Sequence, residues 1–478
     1  MNDFSSDEQE RLGSYSPIKT LMQQSFGPVI SQIATATYGI VDSYWISKAL
    51  GDNALAALGS VSIYELINLG FAQYFNSCAS ARLGYLYGQK KNDVCAQVAI
   101  DLIKLAIPFS IILPIILLST IKPFTLWLGS SSEIAQMSFD YLLPISSGCC
   151  VLNWYYIICG VLQAEGRSAL FGMCQAASLL LNMIALDPLF LLYFRTGIWG
   201  ATVASLLANL IPLIGLLIPL FMGKFSIQPK FSMFYNEIHP ESYKALKVGL
   251  STLIAILSIT FPSFIFFKYL GIRAIESKMY DEAFASMNIV LKVYSFVICI
   301  DTGLTQGLLP TASYAYGAER LYRFKWLFIH CLWIGSSWNG IASILCVLFS
   351  KNICSIWLSN ALTIEWAAKF LRIGVCTLVL FHSQYATSVA LQSAKKLKHS
   401  AIFSVITQLI TVPFFATLIF YFDQSKKAMN LMFAYIMNDV FSFILTIFYI
   451  IYPLRTIITS EKSETIIDST NQDIEELD

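Results

Sequence analysis

The sequence predicts an all-α membrane protein with twelve transmembrane helices, arranged as two pseudo-symmetric six-helix lobes around a central cleft. Three observations carry that prediction. Hydrophobic residues make up 56% of the 478 positions and charged residues only 13%, about half the charged share of an ordinary soluble domain. Apolar runs of about 20 residues recur from Pro17 to Arg455, long enough to cross a bilayer as helices. The chain also repeats itself at a constant offset. Ala54-Leu55-Ala56 returns as Ala283-Phe284-Ala285, Tyr87-Gly88 as Tyr316-Gly317 and Leu162-Gln163 as Leu391-Gln392, all with the same spacing. Trp127-Leu128 returns as Trp357-Leu358, shifted by a single further position. Many transporters are built from such internal repeats.

In chain order, residues 1–16 form a polar N-terminal tail with Asp3, Asp7, Glu8 and Glu10. It has neither the positive start nor the short apolar core of a cleavable signal. Six spans, about 18–47, 54–86, 94–119, 134–163, 168–194 and 197–221, make an N-lobe over 17–222. Residues 223–243 are the longest hydrophilic connector and are expected to be a cytoplasmic strap between lobes. Spans at about 244–270, 283–312, 325–349, 364–391, 400–422 and 428–454 make a C-lobe over 244–455. An acidic tail, 456–478, closes the chain. Six spans per half is an even number, so the halves run parallel about an axis along the membrane normal. Gly70 precedes Gly88 by eighteen positions, whereas Gly303 precedes Gly317 by fourteen. The second span is therefore expected to be longer than its counterpart, or irregular, by about one helical turn.

Charge and cysteine usage narrow the function. With both termini cytoplasmic, the inner loops hold fourteen Lys and Arg, from Arg82 to Lys398, against nine in the outer loops. That follows the positive-inside rule, and a plasma-membrane location is expected. The net charge of +1 suggests no nucleic-acid partner. The eleven cysteines lie almost wholly in apolar spans, with spacings that suit neither a disulfide framework nor a metal site. None of His239, His330, His382 and His399 sits in a catalytic motif, so no enzyme is expected. The expected partners are the lipid bilayer and small organic substrates, the expected state is a monomer, and no cofactor is implied beyond a coupling ion.

A charge near the bilayer centre costs about 2.5–3.5 kcal/mol on insertion scales, so polar groups within the spans invite scrutiny. Asp42 lies deep in the first span; the alternative places it at the outer interface near Lys48. Asp187 ends the run Leu179 to Leu186, in which Asn182 is the only polar side chain; the alternative is an Asp-Pro break countered by Arg195. Asn153 is suited to ligate a cation or to bond a neighbouring helix. Ser205 lies among Ala201, Ala204 and Ala208, where packing is the plainer role. Asp301 and Glu65 are candidates to attract a cationic substrate, with a bond to a neighbouring helix as the alternative for Asp301. Trp154 and Tyr155 offer faces to flat cations. Asp140 is expected to pair with Lys122 or to lie near the outer mouth, and Asp439 and Lys104 read as packing or interface groups.

Several motifs, in order, resemble the multidrug and toxic compound extrusion (MATE) family. They are Phe26-Gly27-Pro28 through Val41-Asp42-Ser43 with Gly51-Asp52-Asn53-Ala54-Leu55; Leu162-Gln163-Ala164-Glu165-Gly166-Arg167; Asn182 through Asp187-Pro188 with Gly197-Ile198-Trp199-Gly200-Ala201; and Gly303-Leu304-Thr305-Gln306-Gly307-Leu308-Leu309-Pro310 with Tyr316-Gly317-Ala318. The resemblance covers about 17–455. It implies an alternating-access antiporter that exports organic, often cationic, compounds in exchange for protons or sodium. It also implies ion-coupling roles for Asp42, Asp187, Asn153, Asn182 and Ser205. Two carboxylates sharing a dry pocket repel one another, and a proton or cation relieves that repulsion.

Three features depart from the family pattern. The family usually spaces its fifth-helix Asn and Asp by four; Asn182 and Asp187 are five apart. On a regular helix the extra residue rotates one from the other by about 100°, unless Pro188 permits a distortion. The seventh span lacks a proline at Lys247-Val248-Gly249-Leu250-Ser251. Neither its middle nor the tenth span beyond Glu365 holds a carboxylate, which disfavours coupling through the second lobe of the type some members use. The rival within the superfamily is a flippase for a lipid-linked glycan, which tends to carry a basic cleft.

Overall fold

The computed structural model describes residues 12–50, 52–127, 132–276, 280–356, 361–425 and 427–460. Most of the two polar tails, and the anchors Leu128, Trp357 and Leu358, lie outside the described residues. Within them the chain is almost wholly helical and holds no strand. The first half runs α1 (Pro17–Leu50), α2 (Asp52–Gly88), α3 (Asn92–Trp127), α4 (Ser132–Ser147), α5 (Cys149–Ala164), α6 (Ser168–Leu181, continued by two π turns, Asn182–Leu186 and Leu189–Tyr193) and α7 (Ile198–Phe221). The second half runs α8 (Pro240–Glu276), α9 (Tyr280–Gly317), α10 (Leu321–Leu348), α11 (Ser350–Ser355), α12 (Ala361–Val375), α13 (Leu378–Ser393), α14 (Leu397–Ser404, then a π turn, Val405–Ile410), α15 (Thr411–Phe422), α16 (Phe433–Ile451) and α17 (Arg455–Ile458).

The sequence repeat is a repeat of structure. α13 begins and ends at the repeat offset from α5, and α10, α12 and α14 begin at that same offset from α3, α4 and α6. Turn chemistry repeats with it. Left-handed residues occur at Lys90 and Glu319 and again at Gly166 and Lys395, each pair related by the same offset. Each closes a helix C-terminus in the same way: the next amide, of Lys91, Arg320, Arg167 or Lys396, reaches back to Leu86, Ala315, Leu162 or Leu391, which satisfies a carbonyl the helix leaves open. Only Gly166 takes that backbone without the cost a Cβ adds, about 1–2 kcal/mol.

Among the described residues six helical spans are long and apolar enough to cross a membrane, or seven if the bent pair α4–α5 counts as one. They expose Ile115, Ile184, Ile218 and Ile344, as lipid-facing helices do. α1, α2, α8 and α9 are also long, at 34 to 38 residues, but more polar, because they face one another across the middle of the molecule. Two expectations are corrected. Spans four and ten are each two helices. α4 and α5 meet at 47° at Gly148, where a Cβ would meet the Leu206 side chain, and Pro144 has already removed one helical donor. α12 and α13 part at Cys376 and Thr377. The second span is neither irregular nor a turn longer, since α2 and α9 have 37 and 38 residues. Gly70 packs on Ile256 while Gly303 packs on Val29, so the two glycines are not counterparts.

The two largest buried apolar clusters lie mainly one in each half, and smaller ones join the halves. One large cluster centres on Phe75, Tyr87, Ile100 and Tyr155, and another on Phe266, Phe370 and Met432. The halves meet closely at the end that carries both described termini, where Arg323 holds the Leu12 and Tyr15 carbonyls and Lys325 reaches Ser460. There glycine permits backbone contact: a Cβ on Gly88 would overlap the Tyr314 carbonyl, and one on Gly317 the Tyr85 carbonyl. Gln392 of α13 adds bonds to Ser77 of α2 (2.8 Å) and to the Val248 carbonyl of α8 (2.9 Å).

The connector between the halves is fastened rather than loose. Asp101 of α3 accepts the His239 amide and the Ser242 hydroxyl, both at 2.8 Å, and so anchors the start of α8. Lys104 pairs with Asp101 (2.9 Å) and holds the Asn236 carbonyl (3.0 Å), which is the packing role expected of it. Glu165 accepts the Ile227 amide, and Arg82 pairs with Glu241.

Candidate functional site

α1 and α6 cross with almost no gap. A Cβ on Gly27 would overlap the Ser168 carbonyl, and one on Gly172 would overlap Gly27 itself. Small residues at such a crossing let two membrane helices touch along their backbones. Gln24 seals the crossing, donating to the Gly166 carbonyl (2.7 Å) and accepting from the Ser168 amide. Further along, Trp45 of α1 donates to the Met183 carbonyl at 3.1 Å. The crossing thus brings the Asp42 segment of α1 against the distorted end of α6.

That distortion answers the spacing question. Asn182 to Leu186 is a π turn in which the Asp187 amide bonds back to the Asn182 carbonyl, an i→i+5 closure. Five residues then complete the turn, and the two side chains share a face: Asn182 Nδ2 lies 3.3 Å from Asp187 Oδ2 and 3.3 Å from Ser205 Oγ. Pro188 has no amide hydrogen and its ring would clash with a carbonyl one α-turn back, so the wider turn relieves it. Asp42 and Asp187 are 4% and 0% exposed, and the two carboxylates lie within electrostatic reach of each other. Asp187 Oδ1 is buried with no hydrogen-bond partner among the described residues. Asn209, whose amide donates to the Ser205 carbonyl (2.8 Å), supports Ser205 from behind and was not singled out in the sequence.

Asn153 is not brought to this pocket. It is buried and donates to Ser110 Oγ of α3 at 2.9 Å, because its face of α5 turns toward α3. Trp154 donates to the Ile103 carbonyl, and Tyr155 is fully buried in the first-half core. A long apolar helix without an amphipathic phase does not disclose which side of it faces a cleft, and the Asn153 bond to Ser110 is the interhelical alternative for that residue. Glu65 of α2 accepts from Tyr141 of α4 at 2.7 Å. Asp140 accepts from Gln136 at 2.7 Å, while Lys122 lies over the Phe139 ring.

Between the halves lie two neighbouring cavities of about 510 and 300 Å³ that share Gln32, Ile298, Thr302, Tyr385 and Gln408. The larger is walled by Tyr294, Phe381, Tyr385 and Tyr435 together with Gln384 and Asn438. Among the described residues neither cavity is lined by Lys, Arg, Asp or Glu. Asp301 stands behind this wall with Asn339 Nδ2 at 2.7 Å and His382 Nδ1 at 2.9 Å. Asp439 is bonded by Thr377 Oγ1 at 2.6 Å, across the break between α12 and α13. Neither Asn339 nor His382 stood out in the sequence.

Repeated bundles of long helices, a glycine-packed crossing of the halves and buried carboxylates beside a central cavity define a multi-pass helical membrane protein built on an internal repeat. The family model for MatE matches residues 28–188 and 270–417, and the chain belongs to that family. The multidrug export protein MepA of Staphylococcus aureus (strain N315) is 20% identical over 470 residues, covering 96% of this chain and 99% of its own. The probable multidrug resistance protein YoeA of Bacillus subtilis (strain 168) is 21% identical over 378 residues, covering 77% and 79%. The fold is that of a solved outward-facing multidrug resistance MATE family transporter of the MOP superfamily, at a TM-score of 0.86 and 18% identity over 94% of this chain and 98% of that one.

Proposed function

We propose that this protein is a secondary-active antiporter that exports organic cations in exchange for protons or sodium. It works by alternating access of two six-helix lobes, 17–222 and 244–455, that together make twelve spans. Both termini face the cytoplasm, the membrane is the plasma membrane, and the working unit is a monomer. The multidrug export relatives support the cargo class. The observation that carries the coupling is the Asp42–Asp187 pocket. Two buried carboxylates lie within electrostatic reach of each other, and Asp187 Oδ1 has no donor among the described residues. A proton or a small cation supplies what that oxygen lacks, with Asn182 and Ser205 as the neutral groups around it.

In the proposed cycle the substrate enters the central cavity, the lobes rock, and ion binding at the pocket changes how α1 packs on α6. Coupling of this kind requires the ion to bind one state better than the other. The flippase alternative is weaker here, because among the described residues the cavity walls carry no Lys or Arg to meet a phosphorylated lipid.

The test is ethidium transport in proteoliposomes under an imposed proton or sodium gradient. One gradient drives transport in the wild type, and Asp42→Asn or Asp187→Asn lowers the driven rate by more than about tenfold, the loss expected of a group that binds the coupling ion. Normal rates in both variants remove the assignment. Movement of labelled lipid without any drug movement favours the flippase.

A further inference from the structure

The second half holds a buried charged pair that the coupling pocket does not use. Asp301 (α9) and His382 (α13) are both 0% exposed. His382 Nε2 lies 3.0 Å from the Cys331 carbonyl oxygen. A carbonyl only accepts, so Nε2 carries a hydrogen. Nδ1 lies 2.9 Å from Asp301 Oδ1. A bare nitrogen and a carboxylate oxygen repel at that separation, so a second proton is carried by one of the two groups, on nitrogen or on oxygen. Asp301 Oδ2 is fixed by Asn339 Nδ2, which also donates to the Leu378 carbonyl at 3.0 Å. The imidazole rests on bare backbone, for a Cβ on Gly335 would overlap the ring. The pair is therefore a built and enclosed holder for one shared proton, neutral while it holds it and singly negative once it is lost.

Its position gives that charge a use. Asp301 is within electrostatic reach of Tyr294 and Tyr385, two of the rings that wall the larger cavity. Thr302 and Ile298, one and three positions away on α9, line the cavity directly. An organic cation there meets aromatic faces first and the carboxylate behind them next. While the proton stays, Asp301 offers no net attraction; once it leaves, it does.

We propose that Asp301 and His382 form a second proton-binding site, which exchanges its shared proton for an organic cation held in the tyrosine-walled cavity. The exchange balances: the cation enters, the shared proton leaves to the solvent side of the cavity, and the net charge of the region is unchanged. The other groups that face the pair are Cys331 of α10, Tyr294 of α9, Tyr385 of α13, and Asp439 of α16 acting through Tyr294, Tyr385 and Tyr435. Among the described residues α1 places Ser25, Val29 and Gln32 against this stretch of α9, and α14 places Ser400 and Ser404 against α13. The charges of α12 are spent elsewhere, Glu365 on Lys369 and Arg372 on Ser350.

The inference rests on the cationic-export reading, and its test separates the two. Binding of tetraphenylphosphonium to the purified full chain is measured from about pH 5.5 to about pH 8.5, the range in which a histidine pair exchanges protons. The background is Asp42→Asn with Asp187→Asn, so the first pocket is silent. Affinity there rises with pH by up to about tenfold per unit, with about one proton released per cation bound. Adding His382→Gln, whose amide still donates to the Cys331 carbonyl but holds no exchangeable proton, flattens the profile to within about twofold; Asp301→Asn does the same. Proton release by an indicator dye in the double variant needs no substitution at the pair and decides the matter if those variants do not fold. A flat profile without proton release in the double variant, or an unchanged slope after His382→Gln or Asp301→Asn, overturns this inference and leaves the first pocket's role intact. No binding by the wild type at any pH overturns both.

Discussion

Gly335 shows how much one missing methyl group decides. Its α-carbon faces the imidazole of His382 so closely that an added Cβ would overlap the ring. Gly335→Ala therefore forces either the ring or α10 to move, at a cost of about 1–3 kcal/mol. The expected outcome is a lower thermal unfolding midpoint together with a changed pH profile of tetraphenylphosphonium binding; an unaltered midpoint and profile would show that the ring has other room. Asp42, Asp187, Asn182 and Ser205 illustrate the opposite case, in which residue type and position already marked the group. Charged and amide side chains inside apolar spans are rare enough to be noticed one by one. What they bond to is another matter: Asn153 looked equally eligible and bonds to Ser110 instead.

At the scale of the element, the π turn at Asn182–Leu186 is the feature on which the first pocket depends. A π turn amounts to one extra residue accommodated in an α-helix. Ile184 lies within it and is 71% exposed toward lipid, so its side chain is not needed by the pocket. Deleting Ile184 should convert the segment to a regular α-helix with the Asn and Asp four apart, still on one face, and the flanking segments keep their register. Transport is expected to stay within about threefold of the wild type, because the carboxylate environment survives. By contrast, a deletion in the regular stretch before it, at Leu180, turns the preceding helix face by about 100° and is expected to abolish coupled transport. Equal loss in the two deletions, read by gradient-driven ethidium transport, would mean that the wide turn has a role of its own. Sequence spacing exposed the anomaly between Asn182 and Asp187, and Pro188 hinted at a cause. Whether the backbone absorbed the extra residue by a wider turn or by rotating one side chain away depended on what α1 and α7 offered at that point.

For the whole molecule, the repeat sets the shape. Gly88 and Gly317 are counterparts, and they meet across the interface at the end bearing both termini, each against a carbonyl of the other helix. Replacing Gly317 with Val sets a branched side chain against the Tyr85 carbonyl and opposes closure at that end. Spin labels at Lys90 and Glu319 should report a longer distance in Gly317→Val than in the parent, with a shift in population toward the state open at that end; a closed-end preference weakened by about 1.4 kcal/mol in free energy is a tenfold change in the ratio of states. An unchanged distance distribution would remove the glycine pair from the closing device. The fastened connector fits the same picture, since Asp101 ties the start of α8 to α3 and would give the proposed rocking a fixed point.

Much of this architecture was legible from the order of residues alone. Apolar length marked the membrane helices, since a bilayer tolerates little else, and six or seven spans among the described residues are long and apolar enough to cross. The constant-offset repeat fixed their pairing, and the motifs fixed the family. The breaks at Gly148 and at Thr377 were not legible, because an unbroken apolar run reads the same whether the helix inside it is straight or bent. Tertiary packing also decided which side of each apolar helix looks inward, and so which polar groups meet. Asp301 and His382 belong to different helices and share no local pattern; only the docking of α13 against α9 and α10 put them 2.9 Å apart. A sequence records what each position can donate, accept or bury. The rotation of one helix against another decides whether a partner stands there, and that rotation is settled by packing over the whole bundle.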